Sequence, residues 1–269
     1  MEFSGTLMPI YILTIIYITL QLIIGIFLLI KVYKTKLYNL LALASYFLIN
    51  SLKFLLLVVD GPFIVFQILT FIPDLCLILF TKYTFYRCEK SPFKIITFVF
   101  ISVKVMDFIL NSFIPFTIPM MVELSPDQIP YYYFFISYTA SMLLISNLWL
   151  AYSSLKYYKT IKTQTIIPWI KKRYQIIGIS SLFLSATGPI LLFMPWSTEG
   201  LENPLGLIVS ILVVLVTTIF SVGNFIGWIM PNAIKSRLNK GFSTDKDPNL
   251  TEKELMDLIR NQLSENNKK

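Results

Sequence analysis

The chain has 269 residues, of which 55% are hydrophobic and only 14% are charged, with a formal net charge of +8 at pH 7. A soluble domain usually has about a quarter charged residues. Here the apolar residues form long blocks, so a single soluble core does not explain the sequence. The chain has no histidine, which excludes imidazole metal sites and histidine-based acid–base catalysis.

No arrangement of residues is typical of catalysis. The two cysteines, Cys76 and Cys88, cannot form a metal cluster by themselves, and we expect both to be free thiols. No pair of a nucleophile and a general base can be recognised in the sequence. We therefore expect no enzymatic activity, no bound metal and no cofactor.

Seven apolar blocks are each long enough to cross about 30 Å of hydrocarbon as a helix. In chain order the predicted spans are residues 9–30, 38–59, 62–83, 94–115, 131–155, 174–196 and 205–230. Turn-forming or charged segments separate them. The sequence therefore predicts an all-α fold, a bundle of seven transmembrane helices in one domain over residues 1–230.

The basic residues predict the orientation of this bundle. Of the 23 lysines and arginines, all but Lys53 and Lys104 fall after the first, third, fifth and seventh spans, and the other connections carry only acidic charges. Basic segments stay in the cytoplasm, where anionic lipid also attracts them. We therefore expect a multi-pass protein of the cell membrane with its N-terminus outside and its C-terminus inside. The lipid bilayer then accounts for the positive charge, and no nucleic-acid partner is expected.

Residues 231–269 are predicted to form a cytoplasmic tail. The segment over about 231–241 combines apolar and basic residues at helical spacing, which is typical of a short interfacial helix. After a linker, Thr251 and Glu254 form a capping box at the start of an amphipathic helix over about 251–264. The apolar face of that helix is expected to dock on the inner loops or on a cytoplasmic protein.

Polar side chains recur at helical spacing within six of the seven spans. They are Thr14, Tyr17 and Gln21; Tyr46, Asn50 and Lys53; Gln67, Thr70 and Asp74; Thr97, Lys104, Asp107 and Asn111; Gly178, Ser181, Ser185 and Gly188; and Ser210, Thr217, Ser221 and Asn224. Offsets of three, four and seven place each set on one helix face. Because a lipid-facing surface should be apolar, we expect these faces to point toward one another.

Four charged residues inside the spans stand out, because an isolated charge in the membrane costs about 2.5–3.5 kcal/mol on insertion scales. At ~1.5 Å per residue, Asp74 and Lys104 lie roughly 15 and 16 Å from the inner end, and Asp107 and Lys53 roughly 21 and 24 Å. We expect two pairs at matching depth, Asp74 with Lys104 and Asp107 with Lys53. Lys104 and Asp107, three residues apart, can link the two pairs.

These four residues, together with Asn50 and Asn111, define a candidate intramembrane polar site. One interpretation is a membrane sensor or receptor-like protein that binds a small-molecule ligand or an ion there. A second is a small transporter or a proton or ion relay that uses the same charges. A third is a non-catalytic scaffold subunit whose ion pairs only fix helix register, since a buried pair is weak evidence for stability.

Two prolines predict distortions inside the spans. Pro73 stands directly before Asp74 in the third span, and Pro189 follows Gly188 in the sixth. A proline inside a helix leaves a carbonyl without its partner and can kink the helix. We expect kinks at both places.

Known seven-helix families can be compared by their motifs. Retinal proteins carry a lysine in the middle of the seventh span, where "IVSILVVLVTTIFSVGNFIGW" has none, and "NFIGWIMPN" differs from the Asn-Pro-Tyr motif of G-protein-coupled receptors. The segment "GWIMPNAIKSRLNKGF", followed by the acidic "TEKELMDLI", resembles uncharacterised archaeal seven-helix membrane proteins. The layout of the spans is similar to the seven-helix sensor modules that precede some histidine kinases, which would imply a sensing role.

Overall fold

The computed structural model of the protein describes residues 8–58, 63–86, 92–113, 129–162, 167–195 and 203–240. These residues form helices and no strand. The helices are α1 (Met8–Thr35), α2 (Asn39–Val58), α3 (Phe63–Phe85), α4 (Phe93–Phe113), α5 (Ile129–Lys162), α6 (Pro168–Ser185), α7 (Thr187–Leu191), α8 (Pro204–Ile229) and α9 (Asn232–Leu238). The predicted all-α class is therefore confirmed for the described part of the chain.

Six helical segments are long and apolar enough to cross a membrane. They are Ile12–Thr35, Asn39–Leu56, Ile68–Phe85, Tyr132–Lys162, Pro168–Leu191 and Pro204–Ile229. They correspond to six of the seven predicted spans. The fourth predicted span forms α4, which has 21 residues and of which several side chains lie outside the described part of the structure, so it is not among the six.

Two predicted boundaries are wrong. The fifth helix continues to Lys162 instead of ending near residue 155, and α6 begins at Pro168 instead of residue 174. Proline at the first helical position favours this earlier start, because its fixed φ suits a helix and its missing N–H is not needed there. Most of the basic residues that the charge pattern assigns to the connection between these two spans therefore belong to the helices α5 and α6.

The sixth predicted span is divided between α6 and α7. Pro189 has no N–H to donate to the carbonyl of Ser185, the last residue of α6, so the regular bonding pattern stops there. The predicted distortion at Pro189 is present as this break. At Pro73, in contrast, α3 is helical on both sides of the proline.

The helices pack as a ring with one additional helix. Neighbours in the ring are α1, α2, α3, α5, α6 and α8, with α8 returning to α1, whereas α4 packs against α3 and α5. Phe85 at the end of α3 contacts Tyr157 near the end of α5, so these two helices run parallel. Because α4 connects them, it runs back along their length in the opposite direction.

Most basic residues of the described chain lie at one end of the bundle, which we name the basic end. Two contacts gather its elements: Lys31 of α1 donates to the Trp228 carbonyl of α8, and Lys235 of α9 lies 4.7 Å from the Trp169 ring centre of α6. The residues of the basic end are Lys31, Lys34, Lys36, Lys82, Lys94, Lys156, Lys159, Lys162, Lys171, Lys172, Arg173, Lys235, Arg237 and Lys240. The α9 helix lies within the predicted interfacial segment, whereas the predicted tail helix over 251–264 is outside the described residues.

The polar faces point inward, as the helical spacing predicts. Gln21, Ser181, Ser221 and Asn224 are completely buried. Large apolar side chains instead cover the outside of the bundle, for example Phe98 with 72% of its surface exposed. A lipid environment suits this distribution, because exposed apolar patches of this extent are rare on soluble monomers.

Candidate functional site

Three charged side chains from three helices lie within electrostatic range of one another about halfway along the bundle. Asp74 of α3 interacts electrostatically with Lys104 of α4 and, less strongly, with Lys53 of α2. All three are half-buried. Together with Tyr46 and Asn50 of α2 they form what we name the polar cleft.

The expected direct contact between Asp74 and Lys104 is absent. Asp74 is the only acidic residue whose side chain the structure describes, and no lysine or arginine nitrogen within that part of the chain lies within 4.0 Å of it. Asp74 attracts both lysines at longer range, while the two lysines repel each other. Equal depth fixes the axial level of two side chains but not the lateral distance between their helices, which is why matching depths overstated the contact between Asp74 and Lys104.

The other two predicted site residues cannot be placed in the polar cleft. Asp107 and Asn111 belong to α4, but their side chains lie outside the described part of the structure. The pair predicted between Asp107 and Lys53 therefore stays a prediction. The Lys53 ammonium group lies 4.8 Å from the centre of the Phe54 ring, a distance typical of a cation–π contact.

Tyr46 connects the polar cleft to the core. Its hydroxyl is hydrogen-bonded to the Asn50 side chain and interacts electrostatically with Asp74. Its ring meets the Phe220 ring of α8 edge-on at 5.7 Å between centroids. A change in charge at Asp74 would therefore alter the electrostatic environment of a side chain that packs against α8.

A second polar layer lies between α1 and α8. Tyr17 is hydrogen-bonded to Thr217, and Gln21 Nε2 donates to the Ser221 hydroxyl. Asn224 follows one turn later on α8. The sequence indicated these residues as polar faces but not as partners, because the contact between the first and last helices of the ring is not encoded in either helix alone.

This layer contains two buried acceptors that no described donor satisfies. They are Oε1 of Gln21 and Oδ1 of Asn224. The Asn224 amide nitrogen donates to the Phe220 carbonyl at 3.0 Å, which fixes the side-chain orientation. Buried polar groups normally have a hydrogen-bond partner, and ordered water often provides it.

Arg173 forms a separate cluster at the basic end, in a segment that the charge pattern predicted to be a loop. The side chain is fully buried, and its Nε donates to the Gly227 carbonyl at 3.0 Å. The guanidinium lies 4.4 Å from the Trp169 ring centre and 4.7 Å from that of Trp228. We name Trp169, Arg173 and Trp228 the arginine–tryptophan cluster. The spacing of four residues between Trp169 and Arg173 is the sequence signal that indicates this contact.

The cluster stabilises the end of α8. The last carbonyls of a helix have no partner within it, and this end carries partial negative charge. Arg173 and Lys31 donate to the carbonyls of Gly227 and Trp228 and supply positive charge there. Both cations thus have a structural role.

The described residues contain no group of three histidine, cysteine or acidic side chains that could hold a metal ion. Cys76 is a free thiol, as expected, while Cys88 lies outside the described residues. Comparison of the chain with protein-family models, with curated proteins and with solved structures found no match. The fold therefore defines the class by itself: an all-helical bundle with six segments able to cross a membrane.

Proposed function

We propose that the chain is a multi-pass protein of the cell membrane with seven spans, its N-terminus outside and its C-terminus in the cytoplasm. The six apolar segments, the outward apolar side chains and the common basic end support this proposal. The parallel directions of α3 and α5 support α4 as a further crossing, which together with the six apolar segments makes seven. A chain that leaves one end of α3 must return to the other end before it starts α5. At about 31 Å, α4 matches the hydrocarbon thickness.

Within this arrangement the protein acts as a sensor or receptor-like protein whose polar cleft binds a small polar ligand or an ion. The observation that carries this function is the set of three half-buried charged side chains, one each from α2, α3 and α4, that interact electrostatically with one another. Charged residues inside a membrane are costly and usually mark functional sites. A bound polar group would lower that cost by adding short-range interactions.

The packing of α4 suggests how binding would be transmitted. This helix packs against α3 and α5 less closely than the ring helices pack against one another, so its position is held by fewer contacts. A ligand that pairs with Lys104 and Asp74 would favour one position of α4 over another. The start of α4 lies near the basic end, where Phe93 packs against Trp149, so such a shift would reach the cytoplasmic surface.

Cysteine accessibility tests whether the polar cleft is open to water. In a variant lacking Cys76 and Cys88, Thr70→Cys places a thiol one turn from Asp74, and Ile68→Cys places one on the lipid-facing side of the same helix, where 53% of Ile68 is exposed. A water-soluble methanethiosulfonate should modify position 70 at least roughly tenfold faster, because thiols ionise poorly in apolar surroundings. Equal, slow rates at both positions would favour a scaffold with a dry cleft.

Ligand recognition is tested by thermal-shift screening of the purified protein against amino acids, organic acids and monovalent cations. A true ligand raises the melting temperature and slows modification at position 70. It loses both effects in Asp74→Asn but keeps them in the control Ser141→Ala, which lies on an exposed face of α5. A hit that is unaffected by Asp74→Asn binds elsewhere and contradicts this assignment.

A proton or ion relay is the second candidate, and one observation favours it. Tyr46 interacts electrostatically with both Asp74 and Tyr17. Polar side chains then continue from Tyr17 through Gln21 to Asn224, which is the one of these three nearest the basic end. Proteoliposomes with an internal pH-sensitive dye and an imposed potassium potential measure proton flux. The relay predicts flux that Asp74→Asn and Lys104→Met abolish and Ser141→Ala preserves, whereas wild-type protein with no flux above empty vesicles would leave only the sensor or scaffold.

A further inference from the structure

A groove of about 630 Å³ lies on the outer face of the bundle between α5 and α6, away from the polar cleft. Its lining consists of Leu148, Tyr152, Leu155, Lys156, Lys159 and Leu182. Three leucines and a tyrosine form one part of this surface and two lysines form the other. One end of the groove is therefore cationic, and the rest of its lining is apolar.

The antiparallel packing of α5 and α6 fixes the level of each end. Ser154 donates to the Tyr174 carbonyl at 2.9 Å, and Asn147 donates to the Leu184 carbonyl at 3.4 Å. The lysines just after Ser154 thus lie level with the basic start of α6. The leucine next to Asn147 lies level with the apolar last turn of α6, about ten ångströms deeper at ~1.5 Å per residue.

A close approach between the helices shapes the groove. At Gly178 an added Cβ would lie under 3.0 Å from the Leu155 side chain, so the glycine leaves the space that this leucine occupies. Leu182 follows one turn later on α6. The apolar part of the groove is therefore a shallow channel between two helices and not a gap in the core.

The two lysines are available for an external anion. Lys156 and Lys159 are exposed, and no described side chain forms an ion pair with either of them. Residues three apart on a helix lie on the same face about 5–6 Å apart at their Cβ atoms. Two ammonium groups at this spacing can hold one phosphate between them.

We propose that this groove binds an anionic phospholipid of the inner leaflet. Its phosphate lies between Lys156 and Lys159, and one acyl chain follows Leu155, Leu182 and Leu148 toward the middle of the membrane. Basic pockets between transmembrane helices on the cytoplasmic side are suited to such headgroups. The inference rests on insertion in the membrane and on the basic end facing inward, and it does not depend on the polar cleft.

Native mass spectrometry of the purified full chain tests the site by titration with phosphatidylglycerol and phosphatidylcholine. The structure predicts tighter binding of phosphatidylglycerol, and a weakening of roughly 30-fold in the double variant Lys156→Gln/Lys159→Gln, from about 1 kcal/mol per basic residue. The control Lys34→Gln/Lys240→Gln removes the same charge from exposed positions at the basic end and should bind as wild type. Equal weakening in both variants would mean that only net charge matters and would overturn the site.

A second variant separates a lipid from a free anion. Leu148→Trp/Leu182→Trp fills the apolar part of the groove without changing the charge, so it should weaken phosphatidylglycerol binding while the secondary structure, measured by circular dichroism, stays unchanged. Inorganic phosphate at millimolar concentration should not displace the lipid. Displacement by phosphate, or unchanged lipid binding in the tryptophan variant, would show that the lysines bind an ion alone and would contradict the proposal.

Discussion

Arg173 shows how one residue can connect three helices at the basic end. It belongs to α6, its Nε donates to a carbonyl of α8, and it lies between indole rings from α6 and α8. The Trp169 ring also lies near Lys235 of α9. A planar guanidinium suits this environment, because it can stack on both rings while its edge donates to a backbone oxygen.

Replacing Arg173 should therefore destabilise the protein even when the charge is kept. Arg173→Lys loses the planar stacking, and Arg173→Met also loses the charged hydrogen bond. We expect losses of about 1–2 and about 2–4 kcal/mol, from cation–π contacts and a charged hydrogen bond to a buried carbonyl. Thermal unfolding in nanodiscs measures both, with the exposed Arg237→Met on α9 as the control. A lysine variant as stable as wild type would show that charge alone suffices.

The polar cleft shows what could be predicted at this scale. The constant rise of a helix indicated similar depths for Asp74 and Lys104 but placed Lys53 roughly 8 Å farther from the inner end. The structure nevertheless brings all three side chains within electrostatic range. Helix rise alone could not predict that Tyr46 and Asn50 interact with each other beside them, since it says nothing of which way a polar face turns. It also could not reveal that Arg173 is buried, because a basic residue next to loop residues is ordinarily solvated.

At the scale of elements, close contacts between helices explain where glycine is required. A Cβ at Gly188 would lie under 3.0 Å from the backbone oxygen of Ala140, and one at Gly25 under 3.0 Å from the Leu48 side chain. The first contact brings α7 against the backbone of α5, which cannot move without shifting a whole helix. The second meets a flexible side chain that can change rotamer.

These two glycines should respond differently to the same substitution. Overpacking a well-packed site costs about 1–3 kcal/mol, and we expect Gly188→Ala to lie at the upper end of that range and Gly25→Ala at the lower end or below. Thermal unfolding of both variants under identical conditions gives the comparison. If Gly25→Ala were the more damaging variant, backbone proximity would not be the controlling factor.

Helix type was readable from the sequence and helix ends were not. Long apolar blocks predicted the helices, but α5 continues through "YSSLKYYKTIK" and α6 begins within "PWIKKR". A hydrophobic block ends where the lipid ends, whereas a helix ends where its hydrogen bonds end. The break between α6 and α7 was predictable because Pro189 acts directly on those bonds.

At the scale of the whole molecule, alternating helix directions produce one basic end. The contacts of Gln21 with Ser221 and of Lys31 with Trp228 show that α1 and α8 run parallel, which agrees with their places as the first and seventh of the seven proposed crossings. The charge distribution in the sequence predicted this end independently of any helix contact. The order of helices around the ring was not predictable, because each helix has apolar residues on most of its surface.

The proposed orientation predicts which positions can be labelled from outside the cell. In a variant lacking both native cysteines, Asp127→Cys should react with a membrane-impermeant maleimide in intact cells, because it lies in a predicted outer connection. Lys240→Cys, after α9 at the basic end, should react only after permeabilisation. Labelling in the reverse order would show that the basic end faces outward and would also remove the basis for the inner-leaflet lipid site.

The arginine–tryptophan cluster has a consequence for motion. Arg173 and Lys31 attach α6 and α1 to the last carbonyls of α8, so three ring helices are joined at the basic end. Helices that are held together at one end can separate only at the other end. We expect rearrangements among these three helices to be largest at the end of the bundle opposite the basic end, with the joined ends serving as the pivot.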